Sequence, residues 1–298
     1  MPWTPFGPYE VATVETGRFR LDGGAMYGVV PKPLWERDNP ADDRNRIAMT
    51  MRSLVLRDAS RTILVDVGVG YKDPEKFREI FAIDFSEYSL ESGLNDLGIH
   101  SGDVTDVILT HLHFDHVGGA VARDGDQLQL VFPNATHYVQ REHWNWSLQP
   151  SERDQASFIP DNYRPIEDAG KLQLLDGEEE LFPGIRMEII HGHTFAQQLV
   201  RATDGDQSIL YVADLLPMSS HVPEPWIMGY DLQPIVTLRE KQRILQRAVQ
   251  KQDVFVYEHD VFSAASLVET TSKGYRAFGK GTLHETMKTA GKGGSSVE

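Results

Sequence analysis

The sequence predicts an α/β sandwich of mixed strands and helices, with one polar site along the sheet edges. Three observations carry that expectation. Apolar β-type runs recur in both halves of the chain and end in His or Asp. Segments with helical spacing separate them. One stretch, THLHFDHVGG at residues 110–119, places three histidines and an aspartate in six consecutive positions. Polar side chains gathered at strand ends of a mixed scaffold are a common setting for a ligand site.

The bulk properties narrow the class. A chain of 298 residues with 40% hydrophobic and 24% charged side chains can bury a large core. Residues 1–280 read as a single domain, and the Gly-, Lys- and Ser-rich 281–298 as a flexible tail. The net charge of −15 argues against nucleic acid and against an anionic membrane surface, both of which need clustered Lys and Arg. With no cysteine, thiolate ligands and nucleophiles are excluded, so any metal is held by nitrogen and oxygen. MPWTPFGPYE has neither a basic segment nor an apolar core of a secretory signal, and no run reaches the length of a membrane span. A cytoplasmic protein is expected, and a homodimer is left open.

In chain order, RSLVLRD and RTILVDVG read as two strands joined by the turn DAS. SLESGLNDLGI has helical spacing, with Ser89 as cap and Gly98 as stop. DVTDVILT is a short buried strand that delivers the chain into the histidine cluster. In the second half IRMEIIHGHT, SILYVAD and DVFVYEHD each run from an apolar stretch into His or Asp. TLREKQRILQRAVQK between the last two reads as a helix with a Thr237–Glu240 capping box. Leu238, Ile244, Leu245, Ala248 and Val249 form its apolar stripe.

Histidines two apart cannot share a helix face, but in a loop leaving a strand both can turn toward one ion. His111 and His113 make one pair; Asp115 and His116 make a second, aimed at a neighbouring ion. Two metals about 3.5–4 Å apart acidify a bridging water and polarise a substrate oxygen together. The strand-end residues His193, Asp214 and His259 supply the remaining ligands. Isolated histidines such as His137, His143 and His284 read as surface or hydrogen-bonded residues. Gly118 and Gly119 suit close packing of the metal loop against the following helix, which needs bare backbone.

Through HLHFDH, GHT, VAD and EHD the chain resembles the metallo-β-lactamase superfamily, over roughly residues 15–262. The resemblance implies a four-layer αβ/βα sandwich with the metals at one edge. It implies that His111, His113 and His193 hold one ion, that Asp115, His116 and His259 hold the other, and that Asp214 bridges them. Asp66 in ILVDVG matches a motif that supports the metal loops without binding metal, and His191 is assigned a supporting role of the same kind. The cofactor implied is two divalent ions, zinc first, with iron, manganese or cobalt as alternatives.

Within the superfamily the lack of cysteine excludes β-lactamases that place it on the second metal. His113 stands where the flavodiiron oxidoreductases have glutamate, and the acidic surface does not suit the nucleases. HLHFDH with Phe114 and Asp214 looks most similar to the N-acyl homoserine lactone lactonases and their esterase or organophosphate-hydrolase relatives. Glutathione-thioester hydrolases share the ligands, but here only Lys273, Tyr275, Arg276 and Lys280 stand in for their basic C-terminal region. A non-catalytic metal-bound sensor is a third reading. The signalling-lactone enzymes usually carry a tyrosine three residues past the bridging aspartate; this chain has Pro217, with Tyr27 or Tyr230 as spatial substitutes. The expected function is therefore a metal-dependent hydrolase acting on a neutral, fairly apolar ester or lactone through a bridging hydroxide. Asp115 would shuttle the proton and Asp214 would complete the catalytic pair. LDGGAMYGVVPKPLW reads either as a strand pair or as a loop over the metals. In the second case Met26, Tyr27 and Trp35 form one apolar substrate wall, and Trp226 and Met228 the opposite one.

Overall fold

A computed structural model describes residues 3–293 of the chain. Its strands are β1 (Thr4–Phe6), β2 (Tyr9–Asp22), β3 (Arg46–Arg57), β4 (Thr62–Val65), β5 (Asp106–Ile108), β6 (Val121–Asp124), β7 (Gln127–Leu130), β8 (Thr136–Gln140) and β9 (Leu172–Leu175). The second half contributes β10 (Glu180–Phe182), β11 (Ile185–Ile190), β12 (Gln197–Asp204), β13 (Gln207–Tyr211), β14 (Val254–Val256), β15 (Ala265–Thr271) and β16 (Gly274–Gly281). The α-helices are α1 (Gly23–Tyr27), α2 (Lys32–Trp35), α3 (Glu75–Phe81), α4 (Leu90–Asp96), α5 (Phe114–Val117), α6 (Arg141–Leu148), α7 (Arg164–Asp168), α8 (Pro234–Lys251) and α9 (Leu283–Gly293). No helix among the described residues is long and apolar enough to cross a membrane.

The chain divides into two compact units. The first comprises the residues up to Arg20, Thr50–Gly177 and Phe195–Gln198; the second comprises Leu21–Met49, Glu178–Thr194 and the residues from Leu199 onward. The sheet of the first has the order β1-β2-β3-β4-β5-β8-β9. β3 and β4 form the antiparallel hairpin read from the sequence, and β4, β5, β8 and β9 run parallel. Parallel neighbours require crossovers, and these carry the candidate ligand loops. The chain leaves the C-terminal end of β4 at Asp66 and that of β5 into residues 109–120, the edge at which open α/β sheets place ligands. Val55, Leu64, Val107 and Val139 of this sheet pack with Leu90, Leu94 and Leu97 in and after α4, forming the core. Ser89 caps α4 with its hydroxyl 3.1 Å from the Ser92 N–H, and Gly98 follows at φ +72°, as the sequence predicts.

The second unit's sheet has the order β10-β11-β12-β13-β14-β15-β16, with β13 and β14 parallel and joined through α8. Their C-terminal ends release Asp214 and His259, and β11 ends immediately before His191-Gly192-His193. Three expectations are corrected here. α8 begins at Pro234, whose fixed φ suits the first helical position, so Thr237 and Glu240 lie inside the helix and no capping box forms there. LDGGAMYGVVPKPLW is not a strand pair; it folds into α1 and α2. Within the expected flexible tail, residues 283–293 are helical, and residues 294–298 lie outside the described residues. The missed signal was a second T-x-x-E: the Thr282 N–H donates to Glu285 at 2.9 Å, and the Thr282 hydroxyl accepts from the Glu285 N–H at 3.3 Å.

Candidate metal centre

In the first unit Asp66 organises the loop after β5. It is fully buried and sits in the left-handed region at φ +53°, a strained conformation of the kind found at working sites. One of its oxygens accepts from the Thr110 N–H at 2.7 Å. The other accepts from the Thr110 hydroxyl at 2.6 Å and from His116 Nδ1 at 3.0 Å. Because that hydroxyl gives its proton to Asp66, it accepts from His111 Nδ1, which lies 3.0 Å away. His111 and His116 are thus both protonated on Nδ1, leaving Nε2 of each with a lone pair. His111 Nε2 lies 3.0 Å from His113 Nδ1, and His116 Nε2 lies 3.9 Å from an Asp115 oxygen. His111, His113, Asp115 and His116 are all buried.

Two further contacts hold this loop. His143, on α6, accepts from the Leu112 N–H at 2.8 Å through Nε2 and donates to the Phe195 carbonyl at 2.7 Å through Nδ1. A Cβ on Gly118 would stand 2.3 Å from the Val69 carbonyl oxygen, and one on Gly119 2.1 Å from that of Val67. The glycines are therefore needed for close packing, but the surface they approach is residues 67–69 after β4, not a helix.

In the second unit Asp214 follows Ala213, which is held at φ +40°. One Asp214 oxygen lies 3.1 Å from His193 Nε2 and the other 3.2 Å from His259 Nε2. The Nδ1–H of His193 donates to Asp231 at 3.0 Å, so its Nε2 carries a lone pair. A lone-pair nitrogen facing a carboxylate oxygen repels it, unless the ring takes a second proton or the two share a cation. Nitrogen and oxygen donors about 2.0–2.1 Å from a tetrahedral ion sit roughly 3.3 Å apart. The Asp214 spacings fit that, and the cysteine-free donor set suits zinc or a neighbouring divalent ion.

His191 contributes through its backbone. Its N–H and that of Gly192 donate to the Glu240 carboxylate at 2.7 and 3.0 Å, where burial holds the Glu240 pKa above the ordinary range. Met26, Tyr27 and Trp35 are at most 1% exposed and Met228 is 4% exposed, so these are core side chains, whereas Trp226 is half-buried. Tyr27 stacks on Trp35 and His221 and meets Trp226 edge-on. Its hydroxyl is bonded to Ser220 and Asn39 and burial raises its pKa, so it is no exposed substitute for the lactonase tyrosine. Pro217, at the tyrosine position, accepts from the His259 N–H at 3.0 Å. Thr110, His143, Asp231 and Glu240 were not picked out as supporting residues from the sequence. Only the position of Thr110, directly before HLHFDH, could have signalled it.

A family model described as the metallo-beta-lactamase superfamily matches residues 52–259. The chain belongs to the metallo-beta-lactamase superfamily. Among relatives of this superfamily member, N-acyl homoserine lactonase AiiA of Bacillus thuringiensis subsp. kurstaki is 26% identical over 171 residues, 56% of this chain and 60% of that enzyme. N-acyl homoserine lactonase AttM of Agrobacterium fabrum is 27% identical over 173 residues, 55% of this chain and 61% of that enzyme. The match thus spans about three fifths of each relative's length. A probable metal-dependent hydrolase from Staphylococcus aureus matches with a TM-score of 0.85 at 28% identity, over 94% of this chain and 98% of its own. The dizinc quorum-quenching lactonase AidC matches with a TM-score of 0.76 at 21% identity, over 93% and 96%, and shows the shared fold. The α/β metallo-β-lactamase fold expected from the sequence is borne out.

Proposed function

We propose that this superfamily member is a dinuclear metal hydrolase that opens lactones or cleaves esters of neutral, largely apolar small molecules. The observation that supports this most is Asp214, which turns one oxygen toward each of two histidines, as a carboxylate shared by two cations would. In this reading the two units act as one hydrolase domain. We assign His111, His113, His193 and Asp214 to one ion, and Asp115, His116 and His259 to the second. When bound, two such ions lower the pKa of a shared water to about 7 and polarise the substrate carbonyl.

The chain's own residues do the rest. Asp66, acting directly on His116 and through Thr110 on His111, fixes the tautomers that aim Nε2 at a metal; Asp231 does the same for His193. Asp115 holds a carboxylate oxygen beside the reacting water, takes its proton, and returns it to the leaving oxygen. Trp226 presents the apolar wall to the acyl chain, backed by the buried Met26, Tyr27, Trp35 and Met228. The lactonase relatives support the lactone part of this reading.

A panel of acyl lactones, aryl esters, phosphotriesters and glutathione thioesters tests it on metal-loaded protein. The expected result is the highest kcat/KM on acyl lactones or aryl esters. A preference for charged glutathione thioesters would sink the apolar-substrate reading, and no turnover of any of the four would favour a sensor.

A further inference from the structure

Lys241, on α8, is fully buried, and its ammonium group has no acidic partner within hydrogen-bond reach among the described residues. Its Nζ instead donates to three backbone carbonyls: His221 at 2.7 Å, Pro223 at 3.0 Å and Trp226 at 2.7 Å. A protonated amine has three N–H donors, and here each has one acceptor. The three carbonyls come from a single irregular segment. Its other anchors are His221 Nε2, which donates to the Met26 carbonyl at 2.8 Å, and the Gly229 N–H, which donates to the Ala25 carbonyl at 2.7 Å.

We infer that Lys241 is the positioning residue of segment 221–228: its ammonium straps the segment that carries Trp226 and Met228 onto α8. That Trp226 faces substrate rests on the function proposed above; the strap itself does not. A buried charge is retained only where hydrogen bonds replace its lost water, and a hydrophobic side chain would fill the same space without tying down a backbone. Neutral lysine has two N–H donors for three carbonyls, so the strap is complete only when Lys241 is protonated.

Burial pushes the Lys241 pKa down to about 7, against the opposing pull of Asp231 and Glu224. His221, the other titratable group facing it, is held neutral, its pKa pushed down to about 3 by burial. Strapping is therefore complete below pH 7 and loosens above it.

The test follows tryptophan emission of metal-loaded wild type and Trp226→Phe from about pH 5.5 to about pH 9; their difference isolates Trp226 among the five tryptophans. The expected result is one step with a midpoint near 7 that Lys241→Met abolishes. No step, or a step that Lys241→Met retains, overturns the proposal. Should Lys241→Met not fold, Lys241→Gln, which offers two donors at every pH, serves in its place, and the wild-type titration needs neither variant. On acyl lactones, Lys241→Met is expected to raise KM for long chains roughly tenfold with kcat within about twofold. An emission step without lactone turnover upholds the strap and rejects the lactonase reading. Lactone turnover without the step rejects the strap alone.

Discussion

At the scale of single residues, the candidate ligands are oriented by partners far away in the chain. Asp231 is 38 residues from His193, and its carboxylate holds the proton on His193 Nδ1. Asp231→Ala should therefore lower metal affinity by roughly 10–100-fold while leaving the fold intact, as loss of an outer partner does; competition with a metal-binding dye reads this out. His193→Ala should cost more and remove activity together with the metal. His191→Ala should cost least, because the Glu240 contact uses the His191 backbone N–H, which alanine keeps. If His191→Ala strips metal and His193→Ala does not, the assignment of the two is reversed. The ligand candidates themselves were legible because HLHFDH is compact and each later donor ends an apolar run. Asp231 and His143 were not, because a hydrogen-bond partner brought in by tertiary packing leaves no spacing in the sequence.

At the scale of elements, the parallel strands matter because the C-terminal ends of β4, β5, β13 and β14 lead directly into Asp66, residues 111–116, Asp214 and His259 of the candidate site. The loop after β5 stays in place because residues 118–119 lie against residues 67–69 without a Cβ between them. Gly119→Ala should therefore destabilise the protein by about 1–3 kcal/mol, the range for forced overpacking, and lower its metal content. Gly102→Ala, whose Cβ would meet nothing nearer than 3.8 Å, is the control for the denaturation midpoint. The same chemistry separates right from wrong element readings. T-x-x-E occurs twice, and it caps only at Thr282–Glu285; at Thr237–Glu240 the preceding Pro234 has already started the helix, and Glu240 is drawn to the N–H groups of residues 191–192. Thr282→Ala should accordingly cost about 1 kcal/mol, measured as a lower melting midpoint. The front segment was misread because α1 and α2 span only 5 and 4 residues, too short for helical periodicity to register.

At the scale of the whole molecule, acid should act through a residue remote from the ligand loops as well as through the ligands. His137 on β8 is fully buried, and that burial pushes its pKa down to about 4. Its folded pKa lies below the unfolded value of about 6.5, so between those values the unfolded chain binds more protons and stability rises with pH. Acidification from about pH 6.5 to about pH 4 should therefore remove up to about 3 kcal/mol through this residue alone. His137→Leu should flatten that part of the stability profile; an unchanged profile would refute the assignment. The net charge of −15 is consistent with a chain that takes up divalent cations, and that uptake is the most direct test of the account. Metal analysis of protein purified without chelator, paired with turnover of an acyl lactone at each degree of loading, should show activity rising to a maximum at two ions per chain. Full activity at one ion per chain would contradict the shared role assigned to Asp214 and the dinuclear mechanism with it.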